Sequence, residues 1–148
     1  MKITNTFTVT GTSPGSASTA VGPQLGGLGK YDSLLITASL LGATAGVLDV
    51  YIQRKITTNV WADWAHFTQL TAGSTAKYYS LYATDTASPA APVAIGVGTD
   101  AAPGVLLAAG SFVGGMPGSD IRLVFVAGAS TSLGAAQTIY VTAFSRTA

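Results

Sequence analysis

Cysteine and glutamate are both absent from this 148-residue chain, and histidine occurs once. Without cysteine there is no disulfide framework, no thiolate nucleophile and no thiolate-ligated zinc. That absence also favours assembly in a reducing cytoplasm. Without glutamate, and with only seven Lys and Arg together, the usual residues of a solvated helix surface are missing. Charged residues make up 9% of the chain, against about a quarter in typical soluble domains. A net charge of +1 with no Lys/Arg cluster leaves no electrostatic footprint for nucleic acid. Long apolar runs are missing too. Leu34 to Leu48 is broken by Thr37, Ser39, Gly42, Thr44 and Gly46, and Pro89 to Met116 by prolines, glycines and Asp100. Neither reaches the ~20 residues of a membrane span. The segment Met1 to Phe7 lacks the apolar stretch of a signal peptide. The expectation is a soluble protein with no membrane or nucleic-acid partner.

What is present is small and β-branched: 18 glycines, abundant Thr, Ser and Ala, and a mean hydropathy of +0.45. That composition predicts an all-β fold. A surface so poor in charge suits a chain covered by partners, in an oligomer or a lattice. The length fits a single domain, residues 1–148.

The stretch from Ser33 to Leu70 carries most of the specific information, including both tryptophans and the histidine. It reads as a meander. The strand Ser33 to Leu41 presents Leu34, Ile36, Ala38 and Leu40 on one face. A five-residue hairpin loop, Gly42 to Gly46, then leads into Val47 to Ile56. In this second strand Leu48, Val50, Ile52 and Ile56 point inward, and Asp49, Tyr51, Gln53 and Lys55 outward. A polar break at Thr57-Thr58-Asn59, with Asn59 suited to a left-handed turn, precedes Val60 to Phe67.

Before the meander, Ile3 to Thr10 alternates as a half-buried strand. Gly11 to Lys30 is a surface loop with a short edge strand at Ala17 to Val21 and turns at Gly22-Pro23 and Gly26-Gly27; residues 1–30 could also form an extended arm plus first strand. After it, strands are expected at Ala76 to Ala83, Val93 to Gly98, Val105 to Phe112, Asp120 to Val126 and Gln137 to Phe144. Thr84 to Pro92 and Ala127 to Ala136 read as loops. About eight strands at these spacings predict an antiparallel β-sandwich or barrel.

Catalytic patterns are missing. His66 is the single candidate base, and no Gly-x-Ser-x-Gly elbow supplies a nucleophile for it. Asp63 and His66 are too few for a structural metal site without cysteine. Asp49 and Asp63 read as sheet-face hydrogen-bonding groups, with Arg54, Lys55 or Arg122 as partners for Asp49. Gly114 to Gly118 lacks the Lys-Ser/Thr of a phosphate loop. No cofactor and no enzyme activity are expected. The aromatic set Tyr51, Trp61, Trp64, Phe67, Tyr78, Tyr79 and Tyr82 reads as core and cross-strand pairs. Exposed members could instead stack sugars or anchor a protein interface. Trp61 and Trp64, three apart, should face opposite sides of their strand, one buried and one exposed.

With Leu48-Asp49-Val50-Tyr51-Ile52-Gln53 followed by Trp61-Ala62-Asp63-Trp64-Ala65-His66-Phe67, the chain resembles small virion proteins of tailed bacteriophages. These pair such an apolar strand with a W-x-D-x-A-H-F segment; here Thr57-Thr58-Asn59 stands where their turn is rich in Gly and Asp. The resemblance is strongest to capsid decoration, or cement, proteins. It implies a jelly-roll-like β-sandwich on the capsid surface of the virion, made in the host cytoplasm and bridging neighbouring major capsid protein subunits. It also implies a homo-oligomer, a trimer among the states considered. Trp61, Asp63, Trp64 and His66 are then the interface candidates. A tail or fibre component and a carbohydrate-binding module are the alternatives.

Overall fold

A computed structural model describes residues 2–9, 18–31, 33–40, 43–71, 77–84, 94–115, 118–128, 132–133 and 137–144. Eight longer strands carry the fold: β1 (Lys2–Val9), β2 (Ser18–Leu25), β3 (Ser33–Leu40), β5 (Val47–Thr57), β6 (Val60–His66), β8 (Lys77–Thr84), β10 (Ile121–Ala127) and β12 (Gln137–Phe144). Four short ones join them: β4 (Ala43–Ala45), β7 (Leu70–Thr71), β9 (Val97–Gly98) and β11 (Ser132–Leu133). The helical content of the described residues is one 3-10 turn, Leu28–Lys30.

One sheet has the order β1-β12-β3-β8 and the other β2-β10-β5-β6-β9, with β7 added against β5; β4 and β11 form a separate pair. All pairings are antiparallel. Among the eight longer strands the first pairs with the last, the second with the seventh, the third with the sixth and the fourth with the fifth. The all-β sandwich expected from composition and strand spacing is therefore the observed architecture.

The inner core follows from the period-two alternation of β3, β5 and β10. Leu34 and Ile36 of β3 meet Leu48, Val50 and Ile52 of β5, Trp64 of β6 and Ile121, Leu123 and Phe125 of β10 in one apolar cluster. Residues from both sheets thus share it, which is what fixes the sheets face to face.

Several boundaries differ from the sequence reading. The meander is not continuous, because β3 and β5 lie in different sheets and so form no hairpin. From the loop expected between them, Ala43–Ala45 pair with Ser132–Leu133, inside a second stretch expected to be plain loop. The hairpin that does exist is β5-β6, turned at Thr58-Asn59, where Asn59 has the expected left-handed backbone (φ 60°). The strand expected at Ile3 to Thr10 is β1, and the short edge strand expected at Ala17 to Val21 is β2, longer than expected because it continues to Leu25. Gly22-Pro23 lies within edge strand β2, not at a turn. Proline lacks a ladder donor but is tolerated on an edge, and the register slips opposite it, between Arg122 and Val124. A side chain at Gly22 would meet the Phe125 ring at 2.5 Å. The expected strand 105–112 is irregular, with a lone bridge from Phe112 to Ala65, and the strand expected at 93–98 shrinks to Val97–Gly98. Tyr78, Tyr79 and Tyr82 fall on β8 as expected; the loop 85–92 lies outside the described residues.

Candidate functional site

The outer face of the second sheet is roofed by residues 94–115. This explains why outward positions of β5 are buried: Tyr51 is 8% exposed and Gln53 0%. A second apolar cluster, Tyr51, Val124 and Leu107, with Ile95, Val105, Val113 and Val126 packed against it, lies between sheet and roof. Ile56, expected inward, is 54% exposed, because β5 has by then passed into the hairpin tip.

Asp63 anchors the roof. Its Oδ2 accepts the backbone N–H of Gly96 (2.8 Å), Leu106 (2.7 Å) and Leu107 (2.9 Å), while Oδ1 accepts from Gln53 Nε2 (3.0 Å). Four donors to one buried carboxylate form a charge-assisted set that replaces its lost hydration. The same set explains why 105–112 is not a strand, since two of its amides are committed to a side chain.

Gln53 connects this anion to a cation. Its Oε1 accepts from Arg122 Nε (3.0 Å) and Nη2 (2.8 Å), and its Nε2 also donates to the Gly104 carbonyl (2.6 Å). Arg122 further donates to the carbonyls of Asp100 (3.2 Å) and Thr99 (2.9 Å) and lies 4.5 Å from the Trp61 ring centre. Burial pulls the Arg122 guanidinium below its usual range, opposed by the Asp100 charge. Trp61 Nε1 donates to Asp100 Oδ1, and Lys55 Nζ stands 5.6 Å from the ring on β5.

His66 closes the row. Its Nδ1 is 2.7 Å from the Leu107 carbonyl and its Nε2 3.0 Å from Asp49 Oδ1, while Gln69 Nε2 donates to Asp49 Oδ2 (2.8 Å). Its ring stacks on Tyr51 at 3.8 Å. Burial, then Asp49, then Asp63 push the Tyr51 phenol up. The partners of Asp49 are thus His66 and Gln69, not Arg54, Lys55 or Arg122. Both ring nitrogens of His66 face acceptors, so a serine hydroxyl has no free nitrogen to use as a base.

A bulge brings these groups to one face. Gln53 pairs with Asp63 and Tyr51 with His66, so a two-residue step on β5 faces a three-residue step on β6. The extra residue lets Trp64 and Ala65 both join the inner core while Trp61, Asp63 and His66 stay outside. Trp61 and Trp64 do occupy opposite faces, but neither is exposed (1% and 0%). All four interface candidates are buried within the chain. They position the roof and do not form its surface. A sugar-stacking role for either tryptophan has no exposed ring to rest on.

The roof has its own steric lock. Added Cβ atoms at Gly96, Gly98 and Gly104 would collide with backbone: at Gly96 with Gly104 and Val105, at Gly98 with Gly104 and Ala102, and at Gly104 with Val97. Gly98→Ala is expected to cost about 1–3 kcal/mol through this overlap, read as a lower chemical-denaturation midpoint with an unchanged slope. Gly27→Ala, at an open position with φ +76°, carries only the backbone strain of that conformation.

Gln53, Arg122, Asp49, Asp100 and the three glycines complete the site. For Asp49 and Gln53 a usable signal was their placement four apart, on one face of a strand whose residues 47–52 are otherwise apolar. Among the described residues no group of three or more His, Asp or Glu side chains could hold a metal, and no helix is long and apolar enough to cross a membrane. Comparison with protein-family models, curated proteins and solved structures finds no match.

Proposed function

We propose that this chain is a non-enzymatic decoration protein of a tailed-phage capsid, a jelly-roll sandwich that binds the head surface as a homo-oligomer and bridges neighbouring major capsid protein subunits. The nested strand pairing, first with last and so inward, is the order in which a jelly roll is wound, and supports the finer fold reading. The observation that carries the functional reading is the roof itself. It is pinned by buried polar groups, yet presents Val97 (58% exposed), Leu106 (62%) and Phe112 (48%) to solvent. Asp100 is the single charged residue between positions 94 and 115. A rigid, neutral, partly apolar crest suits a lasting protein contact, since little side-chain or loop entropy is left to lose on docking. Repetition over a lattice then multiplies modest affinity at each contact.

The test is binding of the purified protein to heads lacking this component. Val97→Asp and Phe112→Asp place a charge on the crest at positions that donate nothing to the buried Asp63 carboxylate. Each is expected to weaken binding at least tenfold while shifting the unfolding free energy by no more than about 0.5 kcal/mol, the usual range for exposed sites. Undiminished binding by both variants would remove the crest from the contact.

A further inference from the structure

We propose that His66 is a proton-dependent latch, docking the roof as an imidazolium and loosening it when that proton leaves. Three observations meet at one ring. The Leu107 carbonyl, 2.7 Å from Nδ1, can only accept. Asp49 Oδ1, 3.0 Å from Nε2, belongs to a carboxylate whose other oxygen already accepts from Gln69. The Tyr51 ring lies parallel to the imidazole, 18° between planes, offering the π-face on which a cation is favoured. A neutral imidazole has one N–H, so one of its nitrogens would set a lone pair against an acceptor oxygen. Two protons satisfy both contacts.

The consequence reaches the roof through one peptide unit. The Leu107 N–H is held by Asp63 and its carbonyl by His66, so 107 is fixed from both sides. Facing His66 are Asp49 and Tyr51 from β5 and the uncharged Leu107 backbone from the roof; Asp63 lies on its own strand three residues away. No cationic side chain makes a contact with it among those described. Over the pH interval in which the docked ring keeps two protons and the undocked ring has lost one, raising the pH favours undocking; where both forms carry the proton the latch adds no pH dependence.

The decisive experiment is nitrogen NMR of the ring in the isolated 148-residue chain, unambiguous because that chain has one histidine. It is run from acid to alkaline pH alongside amide-exchange protection of Leu106 and Leu107. The expected result is two protonated ring nitrogens throughout the pH range in which those amides are protected. As the second proton is lost, their protection falls roughly tenfold relative to Ile52 of β5, the scale of one unsatisfied buried polar contact. A neutral ring, or the proton residing on Asp49, while the amides stay protected would overturn the proposal. His66→Phe keeps the stack but cannot titrate. Its protection at Leu106 and Leu107 should be lower than wild type and independent of pH. If that variant does not fold, the wild-type titration decides alone. None of these readouts involves capsids, so the latch and the decoration reading stand or fall separately.

Discussion

Asp63→Ala is expected to lower the unfolding free energy by about 3–5 kcal/mol, the range for removing one partner of a buried charge network. Four donors lose their acceptor at once: the amides of Gly96, Leu106 and Leu107, and Gln53 Nε2. Each buried donor left unsatisfied costs about 1–3 kcal/mol. The sum is capped because the roof can swing open and let water in. The ceiling is therefore the cost of undocking residues 94–115, with Tyr51, Val124 and Leu107 exposed in the process. A chain of this size should lose roughly 10 °C of melting temperature. Amide exchange should accelerate first at Leu106 and Leu107, ahead of β10 and β12. A loss below about 1 kcal/mol, or uniform acceleration across both sheets, would mean the carboxylate is not what holds the roof.

Trp64→Ala should cost a similar amount, about 3–5 kcal/mol, by a different route. Trp64 is 0% exposed and belongs to the inner cluster that joins β3 of one sheet to β5, β6 and β10 of the other. Its removal leaves a cavity between the sheets and orphans the Gly115 carbonyl that its Nε1 reaches at 3.2 Å. Because both sheets border the cavity, exchange protection should fall in β3, β5 and β10 together with the roof. The pair of variants therefore separates two kinds of stabilisation: Asp63→Ala releases a layer, and Trp64→Ala weakens the whole. If only roof amides respond to Trp64→Ala, the assignment of that side chain to the inter-sheet core is wrong.

The contrast also shows what was legible in the sequence. Period-two alternation placed Leu34, Ile36, Leu48, Val50 and Ile52 in the core, because a half-buried strand leaves that pattern. The β5-β6 turn was readable from Asn59, and Trp61 and Trp64 were rightly set on opposite faces. The pattern could not reveal a third layer. Tyr51 and Gln53 alternate as solvent-facing residues do, yet the covering segment comes from more than forty residues further along and has no periodicity of its own. Its order derives from side chains on other strands taking its amides, a long-range effect invisible in a local window. The same reason hid the β6 bulge: one extra residue leaves no composition signal, yet it decides that His66 joins Asp63 and not Trp64. A chain so poor in charge did offer one clue. Each of Asp49, Asp63, Asp100 and Arg122 ended in a specific contact.

The most direct test of the proposed role is co-sedimentation of the purified protein with mature heads stripped of, or lacking, this component, with heat and osmotic disruption of the heads followed in parallel. A decoration protein should bind saturably at a fixed ratio to the major capsid protein and raise the disruption threshold. The wild-type crest should be required for both effects. Absence of binding to heads at any concentration, with the protein folded, would contradict the capsid role and shift the weight to a tail or other attachment function.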